Sequence, residues 1–151
     1  MITCQVEKFS AMLREAKDIF PRHWEELALN KDKIGLSLDL KRYEQAEKDG
    51  MLHVVTVRSD GRLVGYFVAA LVGHLHYKDA GLMAFTDIYY VLPEFRNGSG
   101  AKMLIFLEQS LRALGVTKMY LSCKVHQDHS ELFKSLGYQP TDFIFTKYFG
   151  G

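Results

Sequence analysis

The strongest constraint on this chain is a change of hydrophobic period at Pro93. Before it, residues 52 to 57, 63 to 71 and 82 to 92 are apolar and rich in β-branched and aromatic side chains, and only turn residues separate them. Ser59-Asp60-Gly61-Arg62 puts Asp-Gly between the first two runs, the chemistry of a tight antiparallel hairpin. Tyr77-Lys78-Asp79-Ala80-Gly81 turns the chain into the third run, which Pro93 stops, so the three form a meander. After Pro93, Met103, Leu104, Phe106, Leu107, Leu111 and Leu114 recur at helical spacing, with Gly115 as C-cap. Residues 119 to 125 alternate as a strand again. The helical crossover lets this strand lie parallel to the one at 82 to 92, as in a right-handed βαβ unit. A meander and a crossover in one sheet imply an α/β fold with a mixed, mainly antiparallel sheet.

The flanking segments fit that frame. Residues 2 to 7 alternate as a half-buried strand. Ser10 offers an N-cap for a helix through Ile19, and Pro21 suits a break before a short helix from Arg22 to Leu29. Asp39 can cap a helix from Leu40 to Lys48 that ends at Asp49-Gly50. A short helix at about 128 to 136 closes at Gly137, and residues 144 to 149 read as a final strand. With 151 residues and no linker, residues 1–151 are expected to form a single domain.

Charge excludes some function classes. Nineteen Lys plus Arg against eighteen Asp plus Glu leave +1, so no global field draws the chain to nucleic acid or anionic lipid. No run of ~18 apolar residues exists to span a membrane, and a cytoplasmic location is expected. Cys4 and Cys123 lie in alternating apolar segments without metal-site spacing and read as reduced core thiols.

Residues 89 to 104, Tyr-Tyr-Val-Leu-Pro-Glu-Phe-Arg-Asn-Gly-Ser-Gly-Ala-Lys-Met-Leu, run from strand through a glycine turn into the amphipathic helix. Small residues at 98 to 101 let backbone N–H groups approach a ligand at a helix N-terminus, a ready anion site to which Arg96 and Lys102 add charge. By itself this is also compatible with an ordinary strand-to-helix turn.

Arg96-Asn97-Gly98-Ser99-Gly100-Ala101 resembles the R/Q-x-x-G-x-G/A acetyl-CoA signature of the GNAT family of N-acetyltransferases, with the family's Val-x-Pro-Glu-(Tyr/Phe)-Arg lead-in before it. Ser99 stands where Gly is usual. Leu132-Phe133-Lys134-Ser135-Leu136-Gly137-Tyr138 is similar to a second family motif, and the element order matches over about 51 to 149. His23-Trp24-Glu25-Glu26 resembles a run in small phage-encoded members. The resemblance implies a GNAT-like sheet with flanking helices and one βαβ cofactor-binding unit. It implies transfer of an acetyl group from acetyl-CoA to a primary amine, a small molecule or a protein, by direct attack in a ternary complex. The pyrophosphate would sit at 97 to 102 (Asn97, Gly98, Ser99, Gly100, Ala101, Lys102) with Arg96, and the pantetheine along Tyr90, Val91 and Leu92. Ser130 and Phe133 would complete the cofactor set. Phe133 occupies the position of the family's thiolate-protonating tyrosine and has no hydroxyl, so water or Ser130 would serve. The alternative is a non-catalytic CoA-binding or protein-binding module on the same fold; a homodimer is left open.

The chemistry asks for a base. An amine of pKa ~10.4 is about 0.1% neutral at pH 7.4, a deficit of about 4 kcal/mol. Asp87, in an apolar strand, is the first candidate to bind or deprotonate the amine, against a structural salt bridge or edge position; alternation would put it on one face with Tyr89 and Val91. His23 and Glu26, one helical turn apart, and His76 with His74 are the other candidates, against exposed helix face and polar strand ends. No metal set is expected. His53 should cap or pack, Trp24 should anchor packing, and His129 should lie at the surface.

Overall fold

The computed structural model describes residues 1–151. Five strands form one sheet in the order β1 (Ile2–Glu7), β2 (Leu52–Ser59), β3 (Arg62–Gly73), β4 (Leu82–Val91), β5 (Val116–Tyr120). The first four pair antiparallel, and β5 runs parallel to β4. The mixed, mainly antiparallel sheet with its βαβ crossover is the fold class expected. Asp60 and Gly61 both take positive φ in the hairpin, at 47° and 85°, the conformation that Asp-Gly supplies at little steric cost.

Two helical layers cover the sheet. Helices α1 (Phe9–Ala16) and α2 (Ile19–Leu27) bury Phe9, Met12, Ala16, Ile19 and Phe20 at helical spacing. Helix α3 (Leu40–Lys48) lies against α1, with Tyr43 stacked on Phe9 at 4.2 Å. On the opposite face, α4 (Ser99–Ala113) buries Met103, Leu104, Leu107 and Leu111, each contributing about 1.5–3 kcal/mol. His53 of β2 meets Ser110 of α4 at 2.7 Å, so its packing role holds and it identifies this face. Tyr66 and Tyr90, paired across β3 and β4, turn toward α2, while the adjacent pair Phe67 and Tyr89 stack at 5.3 Å on the α4 side. Helix α5 (Ser130–Ser135) inserts Phe133 into the core.

Several expectations need correction. The chain enters α1 at Lys8 rather than Ser10, whose hydroxyl instead bonds Glu47 of α3 at 2.8 Å. The first break falls at Lys17-Asp18, and Pro21 is the third residue of α2, where its missing N–H has no intrahelical acceptor to lose. Strand β5 begins at Val116 and ends at Tyr120, so Cys123 lies beyond it. Residues 144 to 149 form no strand: Phe143, Ile144, Phe145 and Phe149 are 80–91% exposed, because nothing in the chain pairs with them. Asp39 caps α3 as expected, accepting from the Arg42 N–H at 3.1 Å.

Candidate active site

The strand-to-helix turn is built to leave donors free. Gly98 caps α4 with φ 78°, a left-handed conformation open to glycine, and the first N–H of the helix to find a carbonyl is that of Lys102, on Gly98 O at 3.1 Å. The N–H groups of Ser99, Gly100 and Ala101 therefore point out of the helix start without an acceptor in the chain. A Cβ on Gly100 would meet nothing within 4 Å, so the space before these donors is open. Ser99 is 1% exposed and its hydroxyl turns inward to Phe95 O, so its backbone alone faces the turn. The residues present thus fit a phosphate group, with Lys102 adding a positive charge at the helix start.

Arg96 is engaged elsewhere. Its guanidinium makes a paired contact with Glu26 of α2 (Nη1 to Oε1 2.8 Å, Nη2 to Oε2 2.9 Å), donates from Nε to Val91 O at 2.9 Å, and lies over the Tyr90 ring at 5.2 Å. Tyr90 also donates to Glu26 at 2.5 Å. The Arg96 hydrogen bonds hold the Glu26 carboxyl below its ordinary pKa, and burial and the Glu26 contact push the Tyr90 phenol up to about 12. His23 stacks on Tyr90 at 4.8 Å and shares a proton with the Tyr66 hydroxyl at 2.8 Å. Burial, only partly opposed by Glu26, lowers His23 to about 4, so its ring is neutral near pH 7. His23 and Glu26 thus meet, as their spacing implied, inside a network that ties α2 to the end of β4. Tyr90, Val91 and Leu92 bury their side chains, so their backbone is what they present along the strand.

Asp87 sits at an irregularity. Val68 pairs with Ile88 and Ala69 with Thr86, which leaves Asp87 as the unpaired extra residue of a β-bulge. The bulge breaks the alternation that would have grouped Asp87 with Tyr89. Instead its carboxylate accepts from the Tyr43 hydroxyl of α3 at 2.5 Å, on the side of α1. Just before this point β4 loses its outer partner: pairing with β5 ends at Phe85 and Tyr120, while β4 continues to Val91. Thr86 Oγ1 marks the fork by donating to Tyr120 O at 2.9 Å. An exposed carboxylate, unattended by any cation within salt-bridge distance, therefore stands where two parallel strands part.

Across the fork lie Ser130 and Phe133, which the sequence reading named, and Tyr89 and His129, to which it gave no role in the site. Tyr89 is half-buried and its hydroxyl makes no hydrogen bond within the chain; burial, and secondarily Cys123, raise its pKa. The His129 ring lies 6.1 Å from Tyr89 and 6.3 Å from Phe133, half-buried rather than at the surface, and burial followed by Arg96 lowers its pKa. Phe133 is 8% exposed. Ser130 donates its hydroxyl to Asp128, which also accepts the Ser130 N–H at 2.8 Å. The aromatic alternation around Tyr89 and the histidine before α5 were the available signals.

His74 and His76 lie apart from this site. They belong to the loop after β3, at the Leu82 end of β4, and His76 is exposed with its N–H on His74 Nδ1 at 3.1 Å. Asp87 is five residues along β4 from Leu82, roughly 16 Å at strand rise. No group of three His, Cys, Asp or Glu side chains is disposed to hold a metal ion. No helix is long and apolar enough to cross a membrane.

Three solved structures superpose on the chain over nearly its whole length. An aminoglycoside acetyltransferase from an uncultured soil metagenomic sample superposes with TM-score 0.75 at 11% identity, over 99% of each chain. Glucosamine-6-phosphate N-acetyltransferase from Arabidopsis thaliana gives 0.71 at 18%, over 98% of this chain and 99% of that one. A predicted acetyltransferase from Clostridium acetobutylicum, solved with acetyl-CoA, gives 0.68 at 17%, over 98% and 96%. No curated protein matches the chain in sequence. The model of the Acetyltransferase (GNAT) family matches residues 9–138, most of the chain and both turns of the candidate site, and the protein belongs to that family.

Proposed function

We propose that the protein is an acetyl-CoA-dependent N-acetyltransferase that acts on a primary amine by direct attack in a ternary complex. The observation that carries this reading is the placement of Asp87 on a bulge at the fork of β4 and β5, one strand-end away from the open N-terminus of α4. Acetyl-CoA would supply the acetyl group as an activated thioester. The backbone N–H groups of Ser99, Gly100 and Ala101, with Lys102, would hold its pyrophosphate, and the backbone of Tyr90 to Leu92 would line its pantetheine arm. Arg96 supports that arm indirectly, by holding the end of β4 against α2 through Glu26.

Asp87 would attract the ammonium form of the acceptor and take its proton, directly or through a water. Tyr43 orients the carboxylate without adding positive charge, so its attraction for a cation is kept. His23 is a poor base at pKa about 4 and serves to stack Tyr90 in place. With Phe133 unable to donate a proton, Tyr89 and His129 are the groups at the fork that can hydrogen-bond the departing sulfur. The reading places the protein in the cytoplasm, where both thiols stay reduced.

The test is release of free CoA thiol from acetyl-CoA on addition of a panel of small amines and lysine peptides. Amine-dependent thiol release supports the enzyme. Tight acetyl-CoA binding with no thiol release from any amine would instead favour the non-catalytic module, which the buried Phe133 leaves available.

A further inference from the structure

The sheet face that carries Asp87 continues past it in two stacked aromatic rings. Phe85, two residues before Asp87 on β4, shares that face by alternation. Tyr120 of β5 pairs with Phe85, and the two rings lie 4.4 Å apart at 5°, a parallel stack at the fork. Both are half-buried and neither belongs to the hydrophobic core, whereas their neighbours Ala84 and Met119 turn the other way and pack into it. Lys118, two residues before Tyr120, holds its ammonium over the Tyr120 ring at 4.8 Å and has no carboxylate partner. A free carboxylate thus stands at one end of an aromatic shelf and a free ammonium at the other, roughly 7–10 Å apart at strand rise. Charges that far apart leave each other unneutralised and open to a ligand that spans them.

We propose that the acceptor is an aliphatic amine carrying one anionic group, a carboxylate or a phosphate, at the far end of its chain. Its ammonium meets Asp87 beside the Tyr43 hydroxyl, its methylene groups lie on the Phe85 and Tyr120 rings, and its anion reaches Lys118. Each part of the shelf then has a complement. The carboxylate, oriented by a neutral phenol, keeps its attraction for a cation, and the stacked rings offer apolar surface where charged side chains would have no partner. Lys118 also selects by repulsion. An acceptor with a second cation at the far end would set like charges together on the shelf, which disfavours it beyond the simple loss of a contact. Lys118 and Tyr120 are therefore specificity-determining residues, and the inference rests on the reading of Asp87 as the group that receives the amine.

The experiment is calorimetric titration of the full chain loaded with CoA, so that binding is read without turnover. The probes have chains of matched length: ε-aminocaproate, aminohexyl phosphate, aminohexanol and hexamethylenediamine. The two anionic amines should bind about 5-fold or more tightly than aminohexanol, with hexamethylenediamine weakest, and the tighter of the two identifies the anion. Lys118→Glu should invert the order and make hexamethylenediamine the tightest, while Lys118→Met should bring the anionic amines level with aminohexanol. Asp87→Asn should weaken all four alike. Equal affinity for the four probes overturns the proposal, as does no binding of either anionic amine, or an order that Lys118→Glu leaves in place with the fold intact. The order on the unsubstituted chain decides the matter even where a variant fails to fold. Thiol release from acetyl-CoA with the same four amines separates this inference from the catalytic reading. Binding in the expected order without thiol release supports the shelf and removes the enzyme, whereas thiol release at equal kcat/KM from all four supports the enzyme and removes the shelf.

Discussion

Two carboxylates reach the same strand, and their surroundings differ in kind. Glu26 meets the end of β4 through a bidentate guanidinium and a phenol, so its charge is neutralised where it stands. Asp87 stands in the middle of β4 itself and meets one phenol, that of Tyr43, and no cation. A carboxylate already paired with Arg has little affinity left for an incoming ammonium, whereas one oriented by a neutral donor keeps it. Sequence pattern raised both as candidates for the chemistry; the partners tie Glu26 to the packing of α2 on β4 and leave Asp87 free for the role proposed for it.

The sharpest way to break this contrast is Asp87→Asn. The amide can still accept from Tyr43, so the fold should hold, while kcat/KM falls by on the order of 10²–10⁴ and the deficit shrinks as rising pH supplies free amine. Acetyl-CoA affinity should stay unchanged by calorimetry. A KM that rises more than kcat falls would reassign Asp87 from base to anchor for the ammonium group.

His23, beside Glu26, should report as a stability group. Unfolded it takes a proton near pH 6.5 and folded only near 4, so between these values the unfolded state binds more protons. Its contribution, roughly 3 kcal/mol, is complete above pH 6.5 and is lost as pH falls toward 4. Urea unfolding of wild type and His23→Asn across that window should give curves that converge at low pH, and the ring protons of His23 should titrate near 4 by NMR.

Glu26→Gln should lower stability by about 1–2 kcal/mol, discounted because Arg96 is partly exposed. That corresponds to a Tm fall of about 3–6 °C, measured by calorimetry. Its effect on kcat should stay small beside that of Asp87→Asn. If turnover collapses while Tm holds, Glu26 belongs to the chemistry and the contrast is wrong.

The smallest effect is expected from Tyr43→Phe. The stack on Phe9 survives and one hydrogen bond to Asp87 is lost, for a fall of about 2–10-fold in kcat/KM and a stability change within ~1 kcal/mol. Because Tyr43 orients Asp87, combining Tyr43→Phe with Asp87→Asn should add almost nothing to Asp87→Asn alone.

Local signals located the parts of the site that are themselves local. The turn at 96 to 102 depends on a left-handed Gly98 and small neighbours, and those are visible residue by residue. The spacing of His23 and Glu26 put them on one helix face, but nothing in it told that Arg96, seventy residues on, would claim the carboxylate. Tyr43 was hidden for the same reason, since its partner lies forty-four residues away on another element. Asp87 was found as an odd charge in an apolar strand, and its orientation was misread because a bulge is a property of two strands in register.

What the amino-acid sequence by itself determined is the set of elements whose causes are short-range. The Asp60-Gly61 hairpin, the Asp39 cap, the amphipathic α4 and the meander with its crossover all follow from turn chemistry and hydrophobic period. The tertiary structure alone decided which of these were completed. Residues 144 to 149 carry strand-forming residues and remain unpaired, because a strand exists only with a neighbour to receive its hydrogen bonds. It likewise decided which charges stay free, because charge neutralisation depends on distances across the fold, and these place Arg96 on Glu26 and leave Asp87 to a tyrosine.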